Sequence, residues 1–146
     1  ATPPPASCNA TARCACVLPF VDLGLCPEAA ASLLLPREMG HARAAELLML
    51  GKRFGPSVAL DAGIVTSVVP DAEVDSVARA AARALAAKPP ESLRLTKELM
   101  RRWDRDLIQR ALREEGGAFV RQLQSPEAKA AFAAFAQRRS SSKGGR

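Results

Sequence analysis

Long apolar runs and a basic-then-apolar leader are both lacking in this sequence. A membrane-crossing helix needs roughly 20 apolar residues, and the longest uninterrupted apolar run here is far shorter. Aromatic residues make up only 4% of the 146 positions and tyrosine is absent, although hydrophobic residues reach 48%. We therefore expect one soluble, cytoplasmic domain without a membrane span, whose core is built mainly from aliphatic side chains.

Metal ligands are also scarce. The chain has a single histidine, His41, and four cysteines, at positions 8, 14, 16 and 26. The spacing from Cys14 to Cys16 differs from the two-residue spacer of zinc knuckles, and His41 lies far from this pair in sequence. The pattern therefore predicts no metal site, and reduced thiols of the kind usual in a cytoplasm.

Positive charge exceeds negative charge, but mainly at one end of the chain. The 21 Lys and Arg residues against 15 Asp and Glu give a net charge of +6. Four of the basic residues lie in the last nine positions, so the rest of the chain carries only +2. Nucleic-acid binding needs basic charge clustered on a folded face. We therefore expect a disordered basic tail at residues 140–146 and no nucleic-acid partner.

Helix-forming residues dominate the composition, since alanine alone supplies 29 positions. Alanine, leucine, arginine and glutamate lose little conformational freedom in a helix, so a predominantly helical chain is expected. Residues 1–18 contain three consecutive prolines and show no hydrophobic period, which predicts an irregular segment. A region of short elements at 19–70 and a helical region at 71–139 follow.

The region 19–70 is divided by proline and glycine. Phe20 to Leu25 predicts a strand or extended run, and the turn Cys26-Pro27-Glu28 predicts a helix with proline first and an acid in its first turn. Further predictions here are a limit at Pro36, a turn at Gly40, helix ends at Gly51 and Gly63, and a strand at Ile64–Val69 closed by Pro70.

The region 71–139 shows helical periodicity. Asp71 is the predicted N-cap of a helix whose apolar stripe is Val74, Val77, Ala78, Ala81, Ala82 and Leu85. Pro89-Pro90 breaks this helix. A longer helix is predicted next, with a kink at Gly116-Gly117 and with a core-facing stripe of Leu93, Thr96, Met100, Trp103, Leu107 and Ala111. Ser125-Pro126-Glu127 predicts the start of the last helix, because serine caps and proline begins helices.

An ordered series of short motifs spans residues 19 to 139. It consists of Leu23-Gly24 with Pro27-Glu28, Leu35-Pro36 with Gly40, Ala44-Ala45-Glu46-Leu47 with Gly51, Ala59 with Gly63-Ile64-Val65, and Lys88-Pro89-Pro90 with Leu93 and Lys97. This series resembles the latter part of enoyl-CoA hydratase/isomerase (crotonase superfamily) proteins, and it is most similar to the 3,2-enoyl-CoA isomerase type.

The resemblance implies the C-terminal fragment of an α/β crotonase-like (ClpP/crotonase) fold, predominantly helical with one or two short strands. Residues 19–70 would form the last layer of the crotonase-like core and residues 71–139 the C-terminal helical region. In this family the first half builds most of the sheet, binds CoA and supplies the oxyanion-hole amides. Residues 1–18 do not match the strand expected before Pro19, which indicates a truncation or a reading-frame artefact.

Glu28 is the catalytic residue that the resemblance implies. It matches the glutamate that moves a proton between C2 and C4 of an enoyl-CoA, a reaction of fatty-acid β-oxidation that needs an acyl-CoA substrate and no cofactor. An acid in a helix's first turn also stabilises the helix by roughly 0.3 to 1 kcal/mol, which is the structural alternative for Glu28. Without the oxyanion donors, we expect the isolated chain to be inactive.

Other roles stay open beside isomerisation. Lys97 could meet the phosphates of CoA, although a solvated helix face explains this lysine equally well. The intact parent could be a hydratase, in which a second glutamate helps activate water. The chain could also be a non-catalytic oligomerisation module, because helices of this family's C-terminal region pack between subunits of a trimer-type homo-oligomer.

Overall fold

The computed structural model describes residues 9–11 and 14–143, and expectations for the remaining positions lie outside the described residues. The described elements are β1 (Asn9–Thr11), α1 (Ala31–Met39), α2 (His41–Leu50), α3 (Pro56–Asp61), β2 (Ser67–Val69), α4 (Val74–Ala86), α5 (Pro90–Arg102), α6 (Arg105–Leu123) and α7 (Pro126–Lys143). They belong to two compact units. The first unit comprises Ala1–Cys16 and Arg53–Gln109, and the second comprises Val17–Lys52 and Arg110–Arg146.

The two strands belong to the first unit. β1 and β2 pair in parallel, with Ala10 opposite Val68. The strand predicted at Ile64–Val69 is therefore confirmed only over its second half. The N–H groups of Ile64 and Val65 instead donate to the carbonyl of Ala59, at 2.9 and 3.3 Å, and this turn draws them out of the strand.

The buried residues of the first unit lie around α3 and a single antiparallel bridge. Cys16 and Phe54 exchange backbone hydrogen bonds of 2.9 and 3.0 Å, and Phe54 is buried. Ala59 and Ala62 are completely buried and Val65 is nearly so. The small side chains at these positions let backbone segments approach closely, as the low aromatic content predicts.

Helix α4 confirms the predicted apolar stripe in part. Val74, Val77, Ala81 and Leu85 are half-buried and α4 packs against β1, whereas Ala78 and Ala82 are exposed. The N-cap predicted at Asp71 is wrong. Residues Asp71–Glu73 form a 3-10 turn, and α4 begins after Glu73. Pro70 is extended, and the N–H of Glu73 donates to its carbonyl, so the turn takes the place of a cap.

Proline 90 begins α5, which confirms the break predicted at Pro89-Pro90. The placement of Trp103 in the core is wrong, because this side chain is 81% exposed and Met100 is 76% exposed. The predicted stripe assumed one uninterrupted helix. The break falls instead at Trp103 and Asp104, and α6 includes Gly116-Gly117, where the predicted kink stays a prediction. After the break, the less exposed face of α6 carries Ile108, Ala111 and Leu112.

The second unit begins with a 3-10 helix, Val21–Leu23, where the sequence predicts an extended run. The N–H of Leu23 donates to the carbonyls of Pro19 and Phe20, and that of Leu25 donates to Phe20 at 2.8 Å. Gly24 adopts the left-handed conformation that closes this turn, with φ of 67°. Local backbone hydrogen bonds thus outweigh the strand preference of the apolar residues.

Helices α1 and α2 pack against each other in this unit. The limit predicted at Pro36 is wrong, since this proline lies inside α1, which ends at Met39 with Gly40 as its C-cap. The helix end predicted at Gly51 is confirmed by its left-handed conformation after Leu50. Ala44, Leu47 and Leu48 form the buried face of α2.

Helix α7 begins as the sequence predicts. The Ser125 hydroxyl accepts a hydrogen bond of 3.1 Å from the N–H of Ala128, and Pro126 is the first helical residue. The disordered tail predicted for residues 140–146 overlaps the end of this helix, which extends to Lys143. No helix in the described residues is both long enough and apolar enough to cross a bilayer.

Gly24 marks the closest approach between the start of the second unit and α7. A Cβ placed on Gly24 would lie 2.7 Å from the backbone nitrogen of Ala128 and 2.9 Å from its Cα. Both atoms are main-chain atoms and cannot swing aside. Position 24 therefore requires glycine for its left-handed backbone and also for the space.

We expect Gly24→Ala to lower the free energy of unfolding by about 2 to 4 kcal/mol. Left-handed strain costs an alanine roughly 1 to 2 kcal/mol, and the clash with Ala128 adds a comparable amount. Gly55→Ala is the matched control, because its φ is −89° and a Cβ there meets nothing within 4 Å. Urea unfolding of the two variants measures the difference. Equal stability of both would contradict the close approach.

Candidate functional site

Glu28 lies on an exposed turn between Leu25 and the start of α1. The local Pro27-Glu28 signal predicts that the helix begins at Pro27, but α1 begins at Ala31, so this prediction is wrong. Ala29 and Ala30 both have a φ of 62°, a left-handed conformation that alanine rarely adopts and that cannot continue into a helix. Glu28 is consequently outside α1, whose first turn has no acidic residue.

Both ends of this turn are fixed in the second unit. Leu25 is buried at one end, and its N–H donates to Phe20. At the other end Ala30 is completely buried, and its carbonyl accepts from the N–H groups of Leu33 and Leu34 at 3.1 and 2.9 Å. The turn thus presents the Glu28 side chain to solvent from a backbone that is held on either side. We refer to residues 25–30 as the Glu28 turn.

The carboxylate of Glu115, on α6, binds the first amides of α1. Its Oε2 accepts a hydrogen bond of 2.6 Å from the N–H of Ala30. Its Oε1 accepts from the N–H of Ser32 at 2.9 Å and from the Ser32 hydroxyl at 2.5 Å. Glu115 is only 8% exposed and is the buried charged residue of the described chain. A buried carboxylate is tolerated where several donors satisfy it, and the three donors here meet that need.

Helix α1 has no cap of its own, and Glu115 supplies one from 85 residues further along the chain. Its negative charge lies at the helix end where unpaired N–H groups create partial positive charge. A side chain also links the two segments, because the Cys26 thiol donates to the Glu115 carbonyl oxygen across 4.0 Å. Cys26 is half-buried.

The sequence motifs do not reveal this contact. A signal was available in the spacing, since the less exposed face of α6 runs Ile108, Ala111, Leu112, Glu115 and Phe119. A carboxylate at the centre of an otherwise apolar helical face has to find donors when that face is covered. The donors come from a distant part of the chain, so the sequence alone could not name them.

Several polar residues elsewhere in the chain are exposed. Lys97 is exposed on α5, in the first unit, and its role in CoA binding stays a prediction. Neighbouring Arg94 pairs with Glu91 at 2.6 Å and with Glu98 at 3.1 Å, and this pairing lowers the pKa of Glu91. Arg37 and His41 are exposed at the end of α1 and the start of α2.

Comparison with known proteins decides the family. The family model described as enoyl-CoA hydratase/isomerase matches residues 7–145. The chain belongs to the enoyl-CoA hydratase/isomerase family. The match begins at residue 7, ahead of the motifs that start at residue 19.

Individual members of the enoyl-CoA hydratase/isomerase family are similar in sequence and in fold. Human enoyl-CoA delta isomerase 2 is 33% identical over 122 residues, which are 84% of this chain and 31% of that protein. The structure of an enoyl-CoA hydratase/isomerase from Pseudoalteromonas atlantica T6c superposes with a TM-score of 0.86 at 35% identity, over 89% of this chain and 52% of that one. An enoyl-CoA hydratase structure from Mycobacterium avium subsp. paratuberculosis gives a TM-score of 0.83 at 28% identity, over 89% and 53%.

These superpositions confirm the predicted crotonase-like fold and its C-terminal portion, mainly helical with two short strands in the described residues. The chain spans about half the length of the solved structures it matches and about a third of the human isomerase. The activity, substrates and partners of a whole enoyl-CoA hydratase/isomerase are therefore matters for proposal.

The left-handed strain at Ala29 predicts that glycine stabilises the protein at this position, although glycine destabilises ordinary helical positions. We expect Ala29→Gly to raise the free energy of unfolding by about 0.5 to 1 kcal/mol, because glycine removes the strain and the exposed methyl contributes little packing. In the interior of α4, the exposed Ala80 should respond in the other direction. Ala80→Gly is expected to cost about 1 kcal/mol. Denaturant unfolding of both variants measures the signs, and a loss of stability in Ala29→Gly would argue against the strained turn.

Proposed function

We propose that this chain is the base-bearing part of an enoyl-CoA isomerase and that Glu28 is its catalytic base. The observation that carries the proposal is the position of Glu28, exposed on a turn that is fixed at both ends and that lies outside α1. An acid in the first turn of a helix would have a sufficient structural role, but Glu28 does not occupy that position. The similarity to human enoyl-CoA delta isomerase 2 supports the same assignment.

The proposed reaction moves a double bond along an acyl-CoA thioester. The Glu28 carboxylate removes a proton from C2 of a 3-enoyl-CoA, the electron pair of that C–H bond forms a C1–C2 double bond, and the π electrons of the thioester carbonyl move onto its oxygen to give a dienolate. The same carboxyl then returns the proton to C4, which leaves the 2-enoyl isomer. A carboxylate suits both steps because it is regenerated at the end and needs no cofactor.

The enolate oxygen formed in this reaction needs hydrogen-bond donors. The family resemblance assigns those donors to the first half of the crotonase fold, and the loss of even one such donor costs about 10² to 10³ in rate. The active form in this proposal is therefore this chain together with that half. Lys97 would contribute a cation for a CoA phosphate, and a cytoplasmic location would suit the reduced thiols.

Two further candidate functions have support of their own. Similarity to a mycobacterial enoyl-CoA hydratase favours addition of water as the alternative chemistry. A non-catalytic role in a trimer-type homo-oligomer is favoured by exposed apolar residues on α5, on α6 and between them, namely Leu95, Leu99, Met100, Trp103 and Leu107. Exposed apolar groups of this kind promote association.

An assay of the joined protein tests the proposal. The N-terminal half of the Pseudoalteromonas atlantica protein is fused before this chain. That protein is chosen because its structure superposes on 89% of this chain. We expect the fusion to isomerise a 3-enoyl-CoA, and Glu28→Gln to lower kcat by about 10² to 10⁴ because the amide cannot take up the proton. The chain alone should be at least about 10² less active than the fusion.

Glu38→Gln is the matched control for Glu28→Gln, because Glu38 is an exposed glutamate of the last turn of α1. We expect its kcat to stay within a factor of about two, as is usual for surface substitutions away from a site. If the Glu28→Gln variant of the fusion folds and retains the full kcat for isomerisation, Glu28 is excluded as the base. Water addition without isomerisation would favour the hydratase, and association of an inactive fusion would favour the assembly role.

A further inference from the structure

We propose that Glu115 is a positioning residue for Glu28: its carboxylate holds the backbone that follows Glu28 and so fixes where the base lies. This inference rests on the proposed role of Glu28 and extends it to a residue that never has to touch substrate. A positioning role explains why a charged side chain is buried in this unit. Glu115 is 8% exposed, and burial of its carboxylate would be costly without the hydrogen bonds from Ala30 and Ser32.

The contacts of Glu115 lie on both sides of Glu28 at equal spacing along the chain. Two residues before Glu28, the thiol of Cys26 donates to the backbone carbonyl of Glu115 across 4.0 Å. Two residues after it, the N–H of Ala30 donates to the Glu115 carboxylate at 2.6 Å. The side chain of Cys26 and the backbone of Ala30 thus both contact Glu115, and the strong contact of the two is the one with Ala30.

The conformation of the turn makes this support necessary. Ala29 and Ala30 each have a φ of 62°, and a left-handed alanine is disfavoured by roughly 1 to 2 kcal/mol. Two such residues in succession persist only where their surroundings hold them. The hydrogen bonds from Ala30 and Ser32 to one carboxylate supply that restraint, and they are of the charge-assisted, stronger kind.

Loss of the restraint should affect catalysis more than substrate binding. A displacement of about 1 Å in a catalytic group can cost about 10²-fold in rate. Nothing in the proposal places Glu115 against the CoA moiety, so KM should change little. The role is distinguished from plain structural support by its dependence on Glu28, because a residue that acts only through Glu28 has nothing left to position once the base is removed.

The first experiment uses the 146-residue chain and measures amide hydrogen exchange. In Glu115→Gln the side chain keeps its shape, but an NH₂ group replaces one accepting oxygen and faces the N–H of Ala30 or of Ser32. We expect the Ala30 and Ser32 amides to exchange at least about 10-fold faster than in the parent chain, with the Ala44 amide of α2 unchanged. Slow exchange at both positions in Glu115→Gln, or fast exchange at both in the parent, would overturn the proposal.

Glu114→Gln is the matched control, since Glu114 is the adjacent glutamate, is exposed and pairs with Arg110 at 2.8 Å. It should leave the exchange of both amides as in the parent. Ser32→Ala is a milder variant, because it removes only the hydroxyl donor and leaves the carboxylate in place. If Glu115→Gln does not fold, the parent chain decides: slow exchange at Ala30 supports the restraint whether or not Ser32→Ala accelerates it, and fast exchange at Ala30 overturns the restraint.

The second experiment is a double-mutant cycle in the joined protein described above. We expect Glu115→Gln to lower kcat by about 10- to 100-fold with KM within a factor of about two, and Glu114→Gln to change neither. The double variant of Glu28→Gln and Glu115→Gln should be no slower than Glu28→Gln alone. Losses that multiply in the double variant, or an undiminished kcat in Glu115→Gln, would show that Glu115 does not act through Glu28.

The two proposals can fail separately in these experiments. Full activity of Glu28→Gln refutes the base assignment and with it any positioning of a base, whereas the exchange rates still report whether Glu115 holds the turn. A slow Glu28→Gln together with an unimpaired Glu115→Gln refutes the positioning role alone.

Discussion

The hydrogen bonds between the Glu115 carboxylate and the amides of Ala30 and Ser32 are what the second unit depends on. Helix α1 has no cap of its own, and the two residues before it are left-handed alanines, so neither its start nor the turn before it is stable by local preference. A carboxylate brought from α6 satisfies the first amides and also offsets the partial charge of the helix end. Burial of Ala30 then becomes possible, and the Glu28 turn acquires a defined shape.

The elements predicted correctly are those whose signals are local. The serine cap at Ser125 and the proline that begins α5 act within one helical turn, so neighbouring residues are enough to identify them. The start of α1 was misplaced because its cap is 85 residues away in sequence. The burial predicted for Trp103 is wrong because an apolar stripe marks one face only along a continuous helix, and the helix is interrupted at Trp103. Family motifs identify Glu28 as a candidate base, whereas the contacts of Glu115 depend on the tertiary fold.

Small side chains make the arrangement around Glu28 possible. Fully buried positions in the described residues are alanines, among them Ala30, Ala44 and Ala128, and Gly24 lets two backbone segments approach to within contact distance. Close backbone packing of this kind leaves little freedom for movement, since interiors are as dense as organic crystals. The turn that carries the proposed base benefits from such surroundings, because its exposed carboxylate then projects from well-packed backbone. The enoyl-CoA hydratase/isomerase family thus shows here how an alanine-rich chain can position a candidate base.

The division of the second unit into two stretches of chain also bears on its biosynthesis. A ribosome delivers Val17–Lys52 first, then the whole of Arg53–Gln109, and only afterwards the segment that contains Glu115. During that interval the Glu115 carboxylate, which accepts hydrogen bonds from the N–H groups of Ala30 and Ser32, has not yet been synthesised. The turn with its two strained alanines therefore lacks this restraint in the nascent protein. Closing a loop of this length costs entropy that only late contacts can offset. Any chain that terminates before Glu115 would keep Glu28 in its sequence and would lack the carboxylate that binds the amides of Ala30 and Ser32.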